Sequence, residues 1–187
     1  MKKTAIILIL TAILGPVQAK EHFYSQISSG YSIWKPMSLD ANQSNPFQKI
    51  SSTSTSMHVN VIMKILSNHA LRTGYFRWKQ NGAGTENFEQ VLLHHLSLDF
   101  MSLVIPESPV SPYVSYGIST VFYKQDSNPL FQTGPGYQVG AGLYLHFHRR
   151  IALTSEYQFI YLMLPQNIGQ TNNYSGPKLS VSLHFCL

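Results

Sequence analysis

The stretch Lys178-Leu-Ser-Val-Ser-Leu-His-Phe-Cys-Leu187 decides the fold. Leu179, Val181, Leu183, Phe185 and Leu187 occupy every second position, with Ser180, Ser182, His184 and Cys186 between them. Side chains of a strand alternate between its faces, so one face is oily and the other small and mostly polar. An open edge on such a strand invites aggregation in water. Closing the sheet into a barrel inside a bilayer removes the edge and gives the oily face a solvent.

The same zigzag recurs upstream. Phe23, Ile27, Tyr31 and Ile33 share one parity over residues 22–34, and Met57, Val59, Val61, Met63 and Ile65 share one over 54–66. Residues 70–79, 88–105, 111–123, 137–147 and 151–164 repeat it, which with the final stretch predicts eight strands. These expected strands mostly run ten residues or more, and about 9–11 suffice to cross a bilayer at a tilt. Connections alternate in length. Short turns are expected at Ser67–His69, Pro106–Val110 and His148–Arg150. Long polar loops are expected at 35–52, 80–87, 124–135 and 165–176. Outer-membrane barrels have that rhythm, with short periplasmic turns and longer extracellular loops. An even strand number leaves both termini on the periplasmic side.

Composition fits. Charged residues make up 11% of the chain, against about 25% in an ordinary soluble domain. Aromatics reach 12%, and several outward ones (Tyr31, Tyr75, Tyr116, Phe122, Tyr137, Phe147, Tyr161, Phe185) fall near strand ends, as in an interfacial girdle. The formal net charge is +5 without a basic cluster of the kind that binds nucleic acid, so no nucleic-acid partner is expected. Lys2 and Lys3 precede an apolar run from Ala5 to Leu14, a Gly15-Pro16 break and the small residues before Lys20. This has the form of a secretory signal peptide over residues 1–19, leaving a mature barrel domain at 20–187. Cys186 is the sole cysteine, which excludes an internal disulfide and a cysteine-rich metal site.

Ser111–Ser119 (SPYVSYGIS) followed by Gly136–Tyr161 (GYQVGAGLYLHFHRRIALTSEYQFIY) resembles the small eight-stranded barrels of the outer-membrane protein A-like superfamily. The shared marks are a Pro-Tyr-Val stretch, a Gly-x-Gly strand, a basic short turn and the Glu156-Tyr157 pair. The final strand also resembles the terminal strand of outer-membrane barrels, with Phe185 as its aromatic. The resemblance implies an all-β, eight-stranded antiparallel up-and-down transmembrane barrel in a Gram-negative outer membrane. Its implied partners are outer-membrane lipid and lipopolysaccharide, the barrel-assembly machinery acting on the C-terminal strand, and a host or cell-surface partner at the loops. The family includes adhesins, structural proteins and complement-resistance proteins, so fold alone assigns no activity.

Inward parity nominates the residues that could carry chemistry. Lys64, Arg72, Asp99, Glu156 and Lys178 are expected in the lumen, where buried charges need partners. The expectation is a luminal network of Lys64, Arg72, Asp99 and Glu156, with Asp99 joined to Lys64 or Arg72 and Glu156 opposite Gly142. A static plug is favoured over a narrow pore. His95 and Ser97 share a face two residues apart, and lipid A deacylase barrels use such a pair with an acidic residue, here Asp99. This chain lacks the Asn that follows that motif, and its parity turns the pair inward. No catalytic role is therefore expected, and a lipid A-modifying hydrolase stands as the alternative. His58, His95, His146 and His184 also share the inward parity, but no spacing within a segment supports a metal site, and no cofactor is expected. A soluble lipocalin-like carrier would need the oily face inside.

Overall fold

The computed structural model describes residues 25–35, 37–39, 47–49, 54–80, 91–106, 108–125, 128–148, 150–168 and 171–187. The expected signal peptide lies outside them. Ten strands follow in chain order: β1 (Gln26–Trp34), β2 (Met37–Leu39), β3 (Phe47–Lys49), β4 (Ser54–Leu66), β5 (His69–Gln80), β6 (Val91–Leu103), β7 (Val110–Gln125), β8 (Asn128–His148), β9 (Ile151–Ile168) and β10 (Thr171–Cys186).

Eight of them, β1 and β4 to β10, pair antiparallel with their sequence neighbours, and β1 pairs with β10 to close the ring. The closing seam runs from Gln26 opposite Cys186 to Trp34 opposite Lys178. Every strand therefore has a neighbour on each side within the ring, which satisfies the backbone where no water is available. The small β2–β3 hairpin adds to the upper end of β10, with Ser38 opposite Tyr174 and Met37 opposite Ser175.

The zigzag points as its chemistry requires. Val139, Leu143, Val181 and Leu183 are all exposed, whereas Gln138 and Glu156 are buried. The greasy half of each strand faces out, so the lipocalin-like arrangement is excluded. Inside, bulky side chains fill two levels. An upper cluster is built on Trp34, Phe76, Trp78, Leu93, Val121 and Tyr123, and a lower one on Ile62, Met101, Leu103, Tyr113 and Tyr144. Trp34 packs edge-on against Trp78 at 5.2 Å and Phe76 at 6.0 Å. Small barrels are filled by their own side chains in this way.

Two of the expected polar loops are mostly strand instead, and a third, 35–52, holds β2 and β3. β7 continues to Gln125 and β8 already starts at Asn128, so residues 124–135 are mostly paired sheet. Likewise β9 reaches Ile168 and β10 starts at Thr171. The reason lies in the register. Pairing of β8 with β9 stops at Gly136 opposite Leu162, while Thr120 still pairs with Pro135 and Phe122 with Thr133. Above that level β8 is an edge strand, where a proline costs no ladder bond on the open side. The β7–β8 and β9–β10 hairpins thus rise past the last β8–β9 ladder pair, with β9 still against β8 at Gly134, where a Cβ would meet the Met163 carbonyl oxygen. The loop expected at 80–87 falls largely outside the described residues.

Candidate functional site

The site is the charged layer between the two apolar clusters. Adjacent strands present Arg72 on β5, Asp99 on β6 and Gly117 on β7 at one level, since Arg72 pairs with Asp99 and Asp99 with Gly117. Glycine is required at 117: a Cβ there would meet the Leu98 carbonyl oxygen and the Asp99 carboxylate, with the Asp99 Cα at 2.7 Å. On the far wall Glu156 sits opposite Gly142, where a Cβ would lie 2.6 Å from the Tyr113 ring. Both glycines clear space for a carboxylate or the ring that covers it.

Arg72 joins the two walls. Its Nε donates to Asp99 Oδ2 at 2.9 Å, and its Nη1 and Nη2 donate to Glu156 Oε2 and Oε1 at 2.7 and 2.9 Å. The planar guanidinium suits a fork of this kind better than an ammonium would. Ser115 Oγ donates to Glu156 Oε1 at 2.6 Å, and Gln138 Nε2 donates to Asp99 Oδ1. Arg72, Asp99 and Glu156 are all buried. Lys178 lies next to this set, donating to Gln158 Oε1 at 3.4 Å with its ammonium 4.6 Å from the centre of the Phe76 ring. The space left among these side chains has room for about one water molecule.

Arg72, Asp99 and Glu156 meet as the sequence predicts, and Arg72 is the partner of Asp99. Lys64 does not join them. It is exposed near the lower end of β4, opposite Ala70, while Ile62 stands opposite Arg72. A register shift between Lys64 and Leu66 marks the end of regular pairing there. At the rim water solvates the ammonium, so burial without a carboxylate is avoided. Lys178 and the amides Gln138 and Gln158 complete the layer. Lys178 has the inward parity in the sequence. The amides carry no charge signal and are recognisable only once the register is known.

His95, Ser97 and Asp99 do line one inner face, and all three are buried. They do not form a relay. Asp99 is held by Arg72 and Gln138, and His95 stacks on Phe76 at 4.4 Å. Two more inward histidines bind hydroxyls or amides: His58 Nε2 meets Ser182 Oγ at 2.6 Å, and His184 meets Thr154 Oγ1 at 2.9 Å and Gln26 Oε1 at 3.1 Å, while the His146 ring lies 4.5 Å from that of Tyr144. Among the described residues no three His, Cys, Asp or Glu side chains group as metal ligands.

No protein-family model matches the chain, and no curated protein does. Solved structures do. Neisserial surface protein A superposes with a TM-score of 0.66 at 17% identity, over 87% of this chain and 97% of that one. The N-terminal β-barrel domain of Pseudomonas aeruginosa OprF gives 0.53 at 15%, over 87% and 98%. Ail, the attachment invasion locus protein of Yersinia pestis, solved with the heparin analogue sucrose octasulfate, gives 0.54 at 10%, over 87% and 99%. Here the ring of eight antiparallel strands is greasy outside and filled within, and the chain has the fold of the small eight-stranded outer-membrane β-barrels.

Proposed function

We propose that the chain is a non-enzymatic outer-membrane protein that meets other molecules through its upper hairpin arms. The observation that carries this is the combination of a filled lumen with ordered sheet well above the band. β8 has 21 residues and β9 has 18, against the roughly 9–11 that cross a bilayer. Leu130 on the β8 arm is 73% exposed, away from the luminal filling. Loops and arms on a rigid scaffold are where binding residues gather. That an attachment protein shares the fold agrees with this reading.

On this reading residues 1–19 are removed during secretion, both termini face the periplasm, and the last strand is what the assembly machinery engages. Bacteria carrying the full chain, compared with a version whose β7–β8 arm is shortened by joining Tyr123 to Gln132, test the role. The full chain should hold cells on a host-matrix surface, and equal retention by both would refute it. A cysteine at Leu130 in a Cys186→Ser background tests the orientation. It should react with an impermeant maleimide on intact cells, and one at Asn68 should not. Lipid A mass spectra unchanged by the protein would exclude the hydrolase alternative, for which His95, Ser97 and Asp99 sit on the wrong side of the wall.

A further inference from the structure

The outer face of β5, β6 and β7 carries an unusual cluster at the upper edge of the apolar band. Lys79 on β5 pairs with Leu92 on β6, and Leu92 pairs with Lys124 on β7. One step lower, Arg77 pairs with His94, and His94 with Phe122. Arg77, Lys79 and Lys124 are all exposed. Antiparallel partners share a face, and neighbouring strands are about 4.8 Å apart. The three cations therefore stand within about 12 Å of one another at the backbone, inside the reach of their long side chains.

Nothing described offsets this charge. Among the described residues the side-chain carboxylates are Asp99 and Glu156, and both are luminal. Elsewhere Lys35, Lys64 and Arg150 stand exposed on separate strands and turns, each without a second described cation beside it in the register. An aromatic shelf stands level with Arg77 and one step below it. Tyr75 OH bonds His94 Nδ1 at 2.7 Å, the two rings stack at 6.0 Å, and Phe131 meets His94 edge-on at 5.8 Å. Aromatic shelves of this kind mark the level where hydrocarbon gives way to headgroups. Below it the same face of β6 is Leu96, Leu98 and Phe100. Three clustered cations at headgroup depth, just above an apolar wall, match an amphiphile that carries phosphate on an acylated body.

We propose that Arg77, Lys79 and Lys124, standing at the Tyr75–His94 shelf, bind the phosphates of an acylated glycolipid in the adjoining leaflet. The phosphate oxygens accept from the guanidinium and ammonium groups, and the acyl chains lie along Leu96 and Leu98. The name of the leaflet depends on the orientation proposed above, but the site itself does not. A symmetric bilayer presents the lipid to both ends, and the maleimide experiment reports orientation separately.

The test uses the folded barrel in phosphatidylcholine nanodiscs containing bisphosphorylated lipid A, with native mass spectrometry of the lipid retained on release. The wild type should keep lipid A, and the triple variant R77Q/K79Q/K124Q should keep at least tenfold less. A charge-matched K35Q/K64Q/R150Q variant should retain it like the wild type, and dephosphorylated lipid A should not be retained. Equal retention by the triple variant, equal loss in the charge-matched control, or equal binding of dephosphorylated lipid would each overturn the proposal. So would full displacement by millimolar inorganic phosphate, which would assign the site to a soluble anion. Folding is checked by the heat-dependent gel shift. Should the triple variant not fold, Lys79→Gln and Lys124→Gln singly carry the test, each with about a threefold loss expected and no loss refuting.

Discussion

Arg72 is one cation shared by two carboxylates from opposite walls, and its removal would leave both buried with only the neutral donors Gln138 and Ser115 bonded to them. Breaking a buried pair from one side costs about 3–5 kcal/mol, much more than replacing the whole set by neutral groups. Arg72→Met should therefore destabilise the barrel by about that amount. The triple R72M/D99N/E156Q should recover most of the loss. Urea unfolding in lipid vesicles, followed by the fluorescence of buried Trp34 and Trp78, measures both. Gly117→Ala is a second probe of the layer, because its methyl would displace the Asp99 carboxylate from Gln138. Overpacking of this kind costs about 1–3 kcal/mol, and the same unfolding assay reads it. Much of this layer was legible in the sequence. Parity turned Arg72, Asp99 and Glu156 inward, and the need for charge balance linked them. The choice between Lys64 and Arg72 was not legible, since both share the parity and only the register puts Ile62 across from Arg72. Height within the barrel separates a rim lysine from a core arginine, and no local pattern records height.

For a single strand, depth in the bilayer decides what a substitution costs. Val181 lies on the outer face of β10, paired with Tyr31 and Ser155 inside the ring. Thr133 lies on the outer face of β8, above the last β8–β9 pair. Arginine costs about 2–4 kcal/mol at mid-bilayer and about 0–1 near the interface. Val181→Arg should thus lower folding yield in vesicles sharply, while Thr133→Arg should scarcely change it. Equal effects would mean that the two positions share one environment. The strands themselves were readable because every second residue along them must suit hydrocarbon. Their upper ends were not. Pro129, Gly134 and Pro135 read as loop signals, yet they sit on an arm whose outer edge has no partner to lose. Chemistry that breaks a central strand is tolerated on a free edge.

The complete barrel is a wall around a solid interior. Two apolar clusters sandwich the charged layer, so no continuous water path follows from removing charge alone. In planar bilayers the wild type and R72M/D99N/E156Q should both stay at the current of bare lipid. Stepwise conductance in the wild type would contradict the filled lumen. Rigidity of this kind suits a mount for the arms better than a conduit.

The ring is completed by its first and last long strands, β1 and β10. Residues from opposite ends of the polypeptide must find each other before either acquires its second neighbour, so the final contacts have the greatest separation along the chain. Such topologies gain little from early local pairing and form slowly. No partial product of synthesis can seal itself until its tail reaches its head.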